Sequence, residues 1–151
     1  MGAVLHRLGW VLAAIVSLAA LAAVAGLVAA GPLDPTGPPG STGKNVITSL
    51  PFTISQPGSY VLNGNLTGVS GQNGITVNAA DVTIDLQGFE LAGVSGSGDA
   101  VQANSANVAV RNGTIRDWSG AGFYAISDAT ADGLRLSSNT RGLDLGPRSS
   151  V

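Results

Sequence analysis

The chain has 151 residues, with 7 Lys or Arg against 9 Asp or Glu and a formal net charge of −2. Cysteine is absent and the single histidine is His6, which excludes disulfide frameworks, thiolate metal sites and cysteine nucleophiles. From residue 31 onward acidic side chains outnumber basic ones, so a general attraction to nucleic-acid backbones is excluded too.

Residues 9–30 form an uncharged, mostly apolar run behind His6 and Arg7, followed by Gly31 and Pro32. Such a run predicts an N-terminal apolar helix that acts as a signal peptide or a membrane anchor. The small residues Val28, Ala29 and Ala30 favour cleavage. If the segment is retained, 9–30 is the only part expected to meet a membrane. Arg7 holds the N-terminus inside, so both readings place the rest outside the cytoplasm: secreted, periplasmic or anchored on the outer face. Residues 31–48 carry Gly at 31, 37, 40 and 43 among several Pro and read as a semi-rigid linker. Asp34 interrupts the triplet spacing, and the tract is too short for a collagen helix.

The stretch 49–146 repeats itself. Leu66-Thr-Gly-Val-Ser-Gly71 returns as Leu91-Ala-Gly-Val-Ser-Gly96, 25 residues later. Polar-Gly pairs recur at Asn63-Gly64, Gln87-Gly88, Asn112-Gly113 and Asp132-Gly133. A small residue followed by an apolar-x-apolar triplet begins at Gly74, Ala100, Gly122 and Gly142, in steps of 26, 22 and 20. Middle strands at 82–84, 108–110 and 129–131 lie between these marks, and short third strands follow each polar-Gly pair at 89–91, 114–115 and 134–136.

Each unit therefore reads as three short strands separated by bends, with the Gly of each polar-Gly pair expected to supply a positive φ. One unit cannot bury its apolar face alone, whereas units stacked one per turn do so continuously. This predicts an all-β parallel β-helix of about four rungs, with Val82, Ile84, Val108 and Val110 inward and Asp85 over Arg111 as a surface ion pair. Residues 147–151 form a C-terminal tail. An antiparallel sandwich of Asn-Gly hairpins is the alternative, but it does not require Gly-Val-Ser-Gly to recur at a rung-like interval.

The segment Ile54-Ser-Gln-Pro-Gly-Ser-Tyr-Val-Leu-Asn-Gly-Asn-Leu66, with Gly74-Ile-Thr-Val77 and Val82-Thr-Ile-Asp-Leu-Gln-Gly-Phe-Glu-Leu91, resembles the opening of bacterial right-handed parallel β-helix repeat proteins of the pectate-lyase-like superfamily. Val108-Ala-Val-Arg-Asn-Gly-Thr-Ile-Arg116 resembles their second rung. The likeness implies the fold more than any activity, since that superfamily hosts lyases, hydrolases, epimerases and proteins of unknown role. Its members usually have many more rungs. Here the last strand runs directly into Gly146-Pro147, leaving a terminal rung open to end-to-end self-association.

A lyase of this kind needs a base beside a carboxylate-bound metal, and a hydrolase needs carboxylates opposed across a groove. Neither constellation is legible, so no catalytic residue, metal ligand or cofactor site is assigned. Asp128, Asp132 and Asp144 read as solvated carboxylates, and the sequons at Asn65 and Asn112 coincide with turns of the repeat. The remaining candidate surface is Arg116, Asp117, Trp118 and Tyr124, since aromatic faces beside Arg and Asp can stack on and hydrogen-bond a sugar. The favoured reading of Trp118 alone is plainer: it caps the interior while Phe123 fills it. The expectation is an exported, non-catalytic β-helix module, structural or in contact with an extracellular polysaccharide. The alternative is the N-terminal part of a polysaccharide lyase or hydrolase whose catalytic rungs are missing.

Overall fold

The computed structural model describes residues 43–151. The apolar segment 1–30 and most of the 31–48 linker lie outside the described residues. Twelve strands and no helix occur among the described residues: β1 (Asn45–Ile47), β2 (Phe52–Ile54), β3 (Gly58–Leu62), β4 (Leu66–Thr67), β5 (Ile75–Val77), β6 (Val82–Asp85), β7 (Glu90–Ala92), β8 (Val101–Ala103), β9 (Val108–Arg116), β10 (Ala121–Ala125), β11 (Ala129–Ser137) and β12 (Arg141–Leu145).

Every strand pairing is parallel, and together they form a solenoid of about four turns. The first face stacks β2, β5, β8, β10 and β12. The second stacks β1, β3, β6 and the leading halves of β9 and β11. The third stacks β4, β7 and the trailing halves of the same two strands. Val82 pairs with Val108 in register, so the antiparallel sandwich is ruled out.

The register puts like side chains above one another. Ile75, Val101 and Phe123 make one interior column, and Tyr60, Ile84, Val110 and Ala131 another. Both are buried, as are all four residues expected to face inward. Each Val or Ile withdrawn from water contributes roughly 1.5–3 kcal/mol, so the vertical stack is what a single turn lacks. The Gly-Val-Ser-Gly repeats stack as well: Leu66 lies beneath Leu91, and Gly71 N–H donates to Gly96 O at 2.8 Å.

The corner between the second and third faces follows the sequence expectation in part. Gly88 (φ 83°) and Gly133 (φ 59°) take the expected positive φ, whereas Gly64 and Gly113 do not; Gln87 (φ 52°) and Asn112 (φ 58°), the first members of their pairs, are left-handed as well. Gly113 is instead buried against Leu86, leaving no space for a Cβ. One left-handed residue bends the chain without breaking the ladder, because Arg111 and Gly113 both stay paired, with Asp132 and Leu134. The middle and third strands are therefore continuous in β9 and β11. Asp81, Asn107 and Asp128, each just ahead of a second-face strand, are left-handed as well, a conformation that Asn and Asp tolerate better than most residues.

Candidate functional site

The four residues singled out from the sequence do not converge. Trp118 is 1% exposed, in the connection from β9 to β10. Its indole Nε1–H donates to Leu91 O at 3.1 Å, one strand down the third face. Its ring lies where a Cβ on Gly68 or Gly74 would come within 2.6 or 2.7 Å of it. Two glycines thus make room for one large aromatic that ties three turns together. Asn139, one connection higher, accepts from Trp118 N–H at 3.1 Å and donates to Ile115 O at 3.0 Å. Buried in this way, the indole offers no face to a sugar, and Trp118 leaves the candidate surface. The plainer reading has Trp118 cap the interior and Phe123 fill it; both lie in the buried core.

Arg116 points outward from the third face, but its guanidinium is engaged. Nε and Nη2 donate to the two carboxylate oxygens of Glu90 at 2.9 and 2.8 Å, and Nη1 meets Asp117. This fork raises the Arg116 pKa, chiefly through the Glu90 hydrogen bond. The Glu90 pairing was within reach of the sequence: Glu90 precedes Arg116 by 26 residues, the same interval that links Asp85 to Arg111.

Tyr124 is half-buried on the outer side of the first face. The register sets it between Gln102 on β8 and Asp144 on β12, with Thr76 and Thr53 continuing the column below. With parallel strands about 4.8 Å apart, this is a straight strip of five polar side chains. At its flank Asn73 Nδ2 donates to Gln102 Oε1 at 2.7 Å, and at the next corner Asn104 donates to Asn78 at 3.0 Å.

The carboxylates are dispersed rather than opposed. Asp85 meets Arg111 at 3.3 Å, Asp128 meets Arg148 at 2.6 Å and Asp144 meets Arg141 at 3.3 Å. Asp81 accepts from Asn107 at 2.6 Å, and Asp99 from Ala121 N–H at 2.6 Å. Burial pushes the Asp85 pKa up, but the Gln87 N–H, the Asn112 amide and the Arg111 guanidinium outweigh it and hold it below its ordinary value. The Arg148 hydrogen bond likewise lowers that of Asp128. Among the described residues no three His, Asp or Glu side chains are grouped as metal ligands would be.

One depression of about 340 Å³ lies at the corner between the second and third faces. It is lined by Gly88, Gly113 and Gly133 together with Asn112, Thr114 and Arg135. The sequence signals it only indirectly: stacked polar-Gly pairs leave a column without side chains. Comparison of the chain with family models, with curated proteins and with solved structures finds no match.

Proposed function

We propose that this chain is an exported, non-catalytic β-helix module that contacts an extended polysaccharide along its first face. The single observation that carries the reading is the straight strip of Thr53, Thr76, Gln102, Tyr124 and Asp144, held in register by adjacent parallel strands. A linear glycan repeats hydroxyl groups along its length and needs hydrogen-bonding partners in a line, with an aromatic ring against which a sugar can pack. Tyr124 is the aromatic on that line. The dispersal of the carboxylates, several of them held by Arg partners, supports a binding role over a hydrolytic one, since acid and base must be opposed across the bond they cleave. Export rests on the apolar 9–30 segment, and the motifs that resemble bacterial pectate-lyase-like β-helix proteins agree with both.

The test is glycan-array binding of the full chain beside its Tyr124→Ala variant. Binding that weakens about tenfold in the variant, with unfolding unchanged, is the expected result; that factor corresponds to about 1.4 kcal/mol. Absence of any glycan signal, or full binding by Tyr124→Ala, overturns the proposal.

A further inference from the structure

Three Asn-Gly pairs lie in the described residues, at Asn63-Gly64, Asn73-Gly74 and Asn112-Gly113. Such a pair can modify itself. The glycine backbone nitrogen, unhindered by a Cβ, attacks the asparagine side-chain carbonyl carbon and forms a five-membered succinimide. The bond from that carbon to the amide nitrogen breaks, and ammonia leaves. Water then opens the ring at either carbonyl, giving isoaspartate or aspartate; the net change replaces NH2 by OH, with no oxidation. The attack requires the asparagine side chain to swing over the following nitrogen, so a fixed side chain resists it.

Two of the three are fixed. Asn73 accepts from Asp99 N–H at 2.9 Å and donates to Gln102 at 2.7 Å, while Gly74 N–H is bound to Asp99 O at 2.9 Å beneath the Trp118 ring. Asn112 is held left-handed, its side-chain amide donates to Asp85 at 3.3 Å, its backbone carbonyl accepts from Gly88 N–H at 2.7 Å, and Gly113 is buried on Leu86. Asn63 occupies the same corner one turn below Gln87, yet it differs in each respect. It is exposed, lies outside the left-handed region and makes no side-chain hydrogen bond among the described residues; space is open around Gly64.

We infer that Asn63 is a self-modification site, converted with water to isoaspartate and aspartate in the folded protein while Asn73 and Asn112 persist. Isoaspartate routes the main chain through Cβ and adds one backbone atom between β3 and β4. The strand β4 is held by only two residue pairs, Leu66 with Leu91 and Thr67 with Ala92, next to the Asn65 side chain that accepts from Glu90 N–H at 3.0 Å. The lowest part of the third face is therefore where the product loosens the solenoid, and it gains a negative charge there.

The experiment incubates the full chain at mildly alkaline pH and follows each of the three sites by peptide mass mapping, with isoaspartate read by enzymatic methylation. In the folded chain Asn63 converts at least about tenfold faster than Asn73 or Asn112, whose reaction waits on local opening. In guanidinium the three rates converge, and Gly64→Ala slows conversion at residue 63. Comparable folded-state rates at all three sites overturn the inference, as does an Asn63 that stays intact when folded but converts in guanidinium.

Discussion

Two corners of the solenoid solve the same problem in opposite ways. Between the second and third faces the chain turns on one or two residues of positive φ: Gln87 with Gly88, then Asn112, then Gly133 in successive turns. Between the third and first faces it uses connections of very different length: residues 68–74, 93–100, 117–120 and 138–140. The tight corner is local, because a backbone conformation suffices and neighbours stay paired through it. The loose corner is tertiary, since Trp118 enters the interior there and the chain must pass around a ring held by glycines from lower turns. The drift of the repeat follows from this difference. Phe52 pairs with Ile75, Ile75 with Val101, Val101 with Phe123 and Phe123 with Leu143, and the longest step spans the longest loose connection.

The comparison breaks most visibly at the loose corner. Trp118→Ala removes a ring that spans three turns and leaves a cavity, so denaturant unfolding is expected to show a loss of about 3–5 kcal/mol. A loss below about 1 kcal/mol would mean that the corner collapses without it. At the tight corner Gly133→Val places a β-branched residue at φ 59°, for an expected loss of about 1–3 kcal/mol. Gly133→Asn, which matches Asn112 one turn below, is expected to cost less than the Val variant; equal losses would show that space rather than φ governs the corner.

The smallest effect concerns pH. The Asp85 pKa is lowered in the folded chain from an ordinary value of 3.8, so the unfolded chain takes up the proton first on acidification. The contribution of the ionised pair is complete above the ordinary value and is lost as pH falls through the lower folded one. The pair is a surface one, worth about 0–1 kcal/mol. Asp85→Asn should therefore lower stability slightly at neutral pH and flatten its decline in acid. An unchanged acid limb would show that Asp85 and Arg111 are only neighbours.

Much of the architecture was legible because the repeat is a physical constraint written along the chain. Alternation placed Val82, Ile84, Val108 and Val110 inside, and the 25-residue return of Gly-Val-Ser-Gly placed Leu66 under Leu91. The same spacing rule reached Asp85 with Arg111 and would have reached Glu90 with Arg116. The candidate surface was less legible. Arg116, Asp117, Trp118 and Tyr124 are close in sequence, but a solenoid separates near neighbours onto different faces and brings residues two dozen apart together. Tyr124 acquires Gln102 and Asp144 as its companions only through the ladder.

Period, alternation and turn chemistry were enough to determine that the described residues stack as parallel turns, because each strand's pattern makes sense only beneath another copy of itself. Where Trp118 goes, which member of a polar-Gly pair turns left-handed and which Asn-Gly pair stays unrestrained were decided by tertiary packing. Those outcomes depend on whether another turn leaves room for a ring, a Cβ or a rotating amide, and a linear pattern holds no measure of that space.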